Sequence, residues 1–300
     1  MAVEIPFQKH LDFEYGVADT LSPLVRRVIA NNPGAFTFFG TGTYIVGRDE
    51  VMVIDPGPAD EQHISAILAA VEGETITHIL VTHTHLDHSP GCALLQKKTN
   101  AKTYALGSHG LGRAHDESDF GADWDFQPDV LLSDGESIAN QHCQLSCLAT
   151  PGHAANHLSF YLEQENALFC GDAVMGWSTT IVSPPDGNML AYMHTLQLLL
   201  TRKDHVYYPT HGAPIENPIT YVRALYNHRL EREQQVLDCV ADGLHTLKDM
   251  LPVVYSETDP AMYPAASRSL LATIECLLHK ESLYQKKGNN EYYVLPGAGQ

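Results

Sequence analysis

The sequence predicts an α/β core followed by a small C-terminal domain, and three observations predict it. Strand-like runs alternate with helical stretches up to about residue 220. Four short apolar runs end in histidine or aspartate with glycine close by. Beyond Asn217 and Pro218 the pattern changes to successive helices closed by a hairpin. The expected domains are therefore residues 1–220 and 221–300.

In chain order, Gly42 to Gly47 and Val51 to Ile54 read as strands. Asp60 opens a helix whose Ile64, Ile67, Leu68 and Val71 keep an i, i+3, i+4, i+7 stripe until Gly73. Ile79 to Val81, Thr103 to Leu106 and Leu145 to Ala149 read as further strands. Ser108 to Pro128 is a polar loop containing His109 and His115, and it suits a cleft cover or a surface insertion equally. Asn188 to about Leu200 is helical, with Leu190, Met193, Leu196 and Leu200 inward. Asn217 and Pro218 start a long helix toward Asp242. Thr246-Leu247-Lys248-Asp249 makes a capping box, Ala261 to Leu278 another helix, and Tyr284 to Leu295 a hairpin around Lys286-Lys287-Gly288-Asn289-Asn290. That is winged-helix order. No Ser/Pro-rich linker precedes it, so the two parts should pack closely.

Composition excludes little. Hydrophobic content of 44% and 18% charged residues are ordinary for a globular chain of 300 residues. No apolar run approaches the roughly 20 residues that span a bilayer, so no membrane partner is expected. Met1-Ala2-Val3-Glu4-Ile5-Pro6 carries acid where a leader carries base, which makes cytoplasm the expected compartment. Cysteines 92, 143, 147, 170, 239 and 276 show no paired framework and should be reduced.

The most informative stretch is Thr82-His83-Thr84-His85-Leu86-Asp87-His88, directly after Ile79-Leu80-Val81. Desolvating three imidazoles and a carboxylate at a strand end is costly unless a cation binds them. His83 and His85 are two apart in extended chain and can point the same way. Asp87 and His88 lie past a bend, where Ser89 suits a helix N-cap and Pro90 the first helical position. Four such ligands exceed one tetrahedral ion that also holds a water, which implies two metals. Downstream candidates end three more apolar runs: His153 in Thr150-Pro151-Gly152-His153, Asp172 after Gly171, and His211 in Thr210-His211-Gly212.

These blocks, with Asp55 in Val53-Ile54-Asp55-Pro56-Gly57, resemble the metallo-β-lactamase fold superfamily. The resemblance implies an αββα sandwich. It implies that His83, His85 and His153 hold metal 1, that Asp87, His88 and His211 hold metal 2, and that Asp172 bridges. Asp55 resembles the carboxylate that orients the site from behind the ligands. His157, four after His153, is a second candidate for such support. True class B1 lactamases use a cysteine at metal 2, whereas Cys170 here reads as a small buried thiol. With His88 and Asp172 present, the chain is similar instead to the glyoxalase II, lactonase and ribonuclease branches. Nearly its whole length resembles the beta-lactamase-like protein 2 group, a core with a C-terminal winged helix, although Thr210 stands where that group usually has glycine.

Two divalent ions, zinc by ligand type with iron and manganese compatible, would share a water that becomes the attacking hydroxide near neutral pH. Asp172 would set the intermetal distance and Asp87 could accept the proton; Trp177, Ser178, Thr179 and Thr180 would line the cleft. Thirty-six acids against eighteen bases, net −18, give no steering toward a polyanion. The expected reaction is hydrolysis of a small ester, thioester or lactone; the alternative is a metal-dependent endoribonuclease or phosphodiesterase, toward which the group resemblance points. A DNA-binding role is disfavoured by the acids around Arg268 in the C-terminal domain, for which walling the cleft or homodimerisation fits better.

Overall fold

Every residue of β4 (Glu50–Ile54) after its first is buried, which is the signature of a strand covered on both faces. Met52 and Ile54 point into one apolar cluster, Val51 and Val53 into another. The computed structural model describes residues 4–119, 121–286 and 290–295. The Met1-Ala2-Val3 start and the hairpin turn at 287–289 lie outside the described residues.

Seven strands form the first sheet in sequential order: β1 (Ala18–Thr20), β2 (Val25–Ile29), β3 (Gly42–Arg48), β4, β5 (Thr75–Leu80), β6 (Lys102–Ala105) and β7 (Val130–Leu131). Pairing is antiparallel up to β4 and parallel beyond it. Parallel neighbours need crossovers, and α1 (Glu61–Ala70) and α2 (Gly91–Thr99) supply two of them. The second sheet runs β12-β11-β10-β9-β8, built from β8 (Ser137–Ala139), β9 (Gln144–Ala149), β10 (Leu158–Leu162), β11 (Ala167–Gly171) and β12 (Val206–Pro209). Its one parallel pair, β11 with β12, brackets α3 (Met189–Leu200).

Three apolar clusters fill the layers. Tyr44, Met52 and Leu80 meet Leu145, Phe160 and Phe169 between the sheets. Ile64, Ile67 and Leu95 cover the outer face of the first sheet, and Tyr192, Leu196 and Val222 that of the second. The result is the expected αββα sandwich.

After the sandwich come α4 (Pro218–Ala241), α5 (Leu247–Val254), α6 (Tyr263–His279) and the antiparallel pair β13 (Leu283–Gln285) and β14 (Tyr292–Val294). This is the element order read from the sequence. Helix α4 serves both parts: Val222 and Leu225 pack on the sandwich, Val236 and Val240 on Met250, Ile274 and Leu283.

One local expectation fails. Ser89 does not cap α2, whose N-cap is Pro90 with no side-chain bond; the Ser89 hydroxyl donates instead to Asp123 Oδ2 at 2.5 Å. A buried carboxylate from the 108–128 loop is the stronger acceptor. All six cysteines are free and buried. No helix among the described residues is long and apolar enough to cross a membrane.

Candidate metal centre

The seven candidate ligands leave the ends of β5, β9, β11 and β12, and the two sheets bring them to one place. His83 Nε2 lies 2.9 Å from His85 Nδ1, and His153 Nε2 lies 3.0 Å from the same atom. Asp87, His88 and His211 form a second group, with Asp87 Oδ2 3.1 Å from His211 Nε2 and 3.5 Å from His88 Nε2. Asp172 stands between them: Oδ2 is 3.7 Å from both His88 Nε2 and His153 Nε2, and Oδ1 is 3.5 Å from His211 Nε2.

The groups behind the rings decide which nitrogen faces inward. A carbonyl can only accept, so His153 must carry its proton on Nδ1, bonded to Ile181 O at 2.6 Å, and His211 likewise toward Gly40 O at 3.1 Å. His88 Nδ1 donates to Asp55 Oδ2 at 2.9 Å. Thr82 Oγ1 gives its hydrogen to the same carboxylate at 2.7 Å, so it accepts from His83 Nδ1 at 3.1 Å. In the neutral form all four rings therefore aim the Nε2 lone pair into the centre. Among the described residues, His88 Nε2, His211 Nε2 and Asp172 Oδ1 are buried without a hydrogen-bond partner. Lone pairs converging with nothing to accept from are what a cation would satisfy, so the residues present fit divalent metal.

Asp55 is fully buried at a left-handed φ of 51°, rare for a residue with a side chain. It is held there by donors from Thr82, His88 and Thr210. Thr210, the departure from the glycine of similar chains, places its hydroxyl 3.1 Å from Asp55 Oδ2. His157 is fully buried and accepts the Asp172 backbone N–H at Nε2, 3.1 Å away, while Nδ1 meets Thr150 Oγ1 at 2.8 Å. That contact requires glycine at 171, where φ is +51° and a Cβ would stand 2.6 Å from His157 Nε2.

Burial, then the neighbouring His88, holds His83 well below the ordinary histidine range; burial and His153 hold His85 at about 3. Burial also opposes charge on His88 and His211, but Asp87 and Asp55 outweigh it at His88, and Asp172 and Asp87 at His211, so both are raised. Burial pushes Asp87 and Asp172 up; the facing imidazoles prevail and keep both low. The site combines neutral donors with carboxylates that demand positive charge.

Trp177, Ser178 and Thr179 are half-buried next to the centre in sequence. The Trp177 ring stacks on Phe38 at 4.6 Å, Gly176 N–H donates to His211 O, and Thr179 lines a cavity of about 330 Å³ with Ile5, Phe7 and Arg232. Thr180 is buried, its hydroxyl donating to Asp172 O at 2.9 Å. Cys170 points away into the cluster under α3, its thiol on Val174 O, and burial pushes it up. His109 of the 108–128 loop is buried between Thr84 Oγ1 and Asp119 Oδ2, 6.1 Å from the His85 ring, so this loop packs beside the site. Thr82, His109, Gly40 and Ile181 were not legible as site residues; two of them act through carbonyls, which carry no residue signature.

A profile of the Metallo-beta-lactamase superfamily matches residues 36–211, more than half of the chain. A Caenorhabditis elegans protein named Beta-lactamase-like protein 2 homolog is 30% identical over 272 residues, 86% of this chain and 85% of that one. An Aspergillus fumigatus protein named atrochrysone carboxyl ACP thioesterase is 33% identical over 222 residues, 73% of this chain; the chain spans 65% of the length of that protein. Among solved structures, a Beta-lactamase domain protein from Burkholderia ambifaria superposes with TM-score 0.79 at 21% identity, covering 97% of each chain. The chain thus belongs to the metallo-beta-lactamase superfamily and is a hydrolase of that fold.

Proposed function

We propose that this protein is a dinuclear metal-dependent hydrolase of small esters, thioesters or lactones. The observation that carries the reading is Asp172, whose carboxylate is within 3.7 Å of histidines from both ligand groups, while its own Oδ1 and the neighbouring Nε2 atoms of His88 and His211 are buried without partners among the described residues. His83, His85 and His153 would hold one ion, Asp87, His88 and His211 the other, and Asp172 both. Two bound divalent cations, zinc in the first place, would supply Lewis acidity and an acidified water. His85, Asp87 and His153 are only half-buried, whereas His83, His88 and His211 are covered, so substrate would approach from the first three. Asp87 lies on that open side and would be the group that accepts the proton of the attacking water.

The thioesterase name of the Aspergillus fumigatus relative supports an acyl substrate. So does the disposition of cations. Arg113 is paired with Asp119 and Asp186, Arg202 with Asp204 and Lys98 with Glu61. In the C-terminal part Lys280 is paired with Glu233, and Arg229, Arg232 and Arg268 donate to carbonyls of this same chain. Those seven cations are engaged within the chain, and a net charge of −18 gives no steering toward a polyanion, so we also propose that duplex DNA is not a partner.

The test is a side-by-side screen of metal-loaded protein on thioester, ester, lactone, phosphodiester and single-stranded RNA, with elemental analysis of the preparation. Two ions per chain and turnover of a carbonyl substrate are expected. Inert carbonyl substrates together with RNA cleavage that Asp172→Ala abolishes would replace this reading with the nuclease.

A further inference from the structure

The loop after Asp172 is gripped at three backbone carbonyls by side chains from α3 and α4. Tyr192 donates to Ala173 O at 3.0 Å, Tyr221 to Met175 O at 2.7 Å, and the Arg229 guanidinium to Thr180 O. The third grip lands where the loop meets the centre. Thr180 Oγ1 donates to Asp172 O at 2.9 Å, and the next residue offers Ile181 O to His153 Nδ1 at 2.6 Å. Thr180 and Ile181 take part in no backbone–backbone hydrogen bond among the described residues. Their position depends on side chains.

Arg229 is an expensive choice for that task. It is only 4% exposed, and no ion pair to a carboxylate is found for it among the described residues. Its guanidinium rests 5.4 Å from the Tyr192 ring centre and on the Thr180 carbonyl. A neutral apolar residue would fill the same helix position at no desolvation cost, unless the carbonyl it holds matters.

We infer that Arg229 is a positioning residue for the candidate metal centre: by fixing Thr180 and Ile181 it orients His153 and Asp172, so that α4 governs how firmly the ions are held. This rests on reading His153 and Asp172 as metal ligands. Arg232, one turn along α4, is a matched control. It donates to Val254 O and to Gln235 Oε1, lies 4.8 Å from the Tyr255 ring, and makes no hydrogen bond to residues 172–181.

Full-length protein loaded with Zn²⁺ is assayed for bound metal, then challenged with excess chelator while release is followed with a chromogenic indicator. Wild-type protein that binds no Zn²⁺ overturns the metal reading itself. With two ions bound, Arg229→Ala is expected to release metal roughly tenfold faster than wild type, the lower end of what groups bonded behind the ligands contribute. Arg229→Lys should fall between them, and Arg232→Ala should match wild type even where it lowers the melting temperature. Co²⁺-loaded Arg229→Ala should show shifted visible absorption bands, and Co²⁺-loaded Arg232→Ala should not. Equal release and equal spectra for Arg229→Ala, Arg232→Ala and wild type overturn the inference and leave the metal reading standing. Should Arg229→Ala fail to fold, Thr180→Val unfastens the same loop from Asp172, and release unchanged from wild type overturns the inference by that route.

Discussion

Neutral groups stand behind His83 and His153, a threonine hydroxyl and a backbone carbonyl, whereas His88 is backed by the carboxylate of Asp55. The contrast extends to what the two groups face. Burial first, and neighbouring imidazoles second, hold His83 and His85 neutral; at His88 and His211 the facing carboxylates, Asp87 and Asp172 among them, outweigh burial and hold them toward the charged form. His83 and His85 are therefore neutral donors, whereas His88 and His211 take protons whenever a cation is lacking. A metal displaces no proton from His83 or His85, and one bound by His88 and His211 must displace theirs.

The strongest way to break this contrast is Asp172→Ala, which removes the carboxylate in reach of both groups. At least one ion should be lost by elemental analysis, and activity should fall by more than the roughly 10–100-fold that loss of a group bonded behind a ligand costs. Asp55→Ala sharpens it instead. Metal affinity should drop about 10–100-fold at the Asp87, His88 and His211 group, and less at the other, which Asp55 reaches only through Thr82 and His83; equal loss of both in a chelator titration would show that the two groups do not act independently.

A pH series on metal-free protein comes next in size. The folded state keeps His85 neutral down to about 3, while the unfolded chain takes up that proton near 6.5, so this residue removes stability as pH falls from about 6.5 toward 3. His88 and His211 work in the other direction. Their raised values give stability that is full below 6.5 and lost as pH rises through the folded values, so the metal-free form should weaken on that side too and metal should protect it more at higher pH. Denaturant midpoints with and without Zn²⁺ measure both limbs; a tenfold difference in proton affinity between the folded and unfolded chain is worth about 1.4 kcal/mol. The smallest effect belongs to Cys170→Ser, which should leave metal content unchanged and cost about 1 kcal/mol through the altered bond to Val174 O.

The seven clustered side chains were legible because each is local: a histidine or aspartate at the end of an apolar run, next to residues that bend the chain. The supports were not. Gly40 and Ile181 act through carbonyls, and Arg229 meets Thr180 across 49 positions of sequence. Ser89 shows the same limit from the other side, since a good local cap loses to Asp123, 34 residues away. Strand β4 was visible from its apolar run, but the assignment of alternate residues to two different layers needed the second sheet, as did the sandwich itself.

Helix α4 is 24 residues long and so spans roughly 36 Å, with its first turns in the apolar layer of the sandwich and its last in the C-terminal cluster. A rod shared in this way couples the melting of both parts, because neither can unfold without fraying the element on which the other is packed. Thermal denaturation should accordingly follow one cooperative transition rather than two. Limited proteolysis, for the same reason, should degrade the whole chain without releasing a stable catalytic fragment.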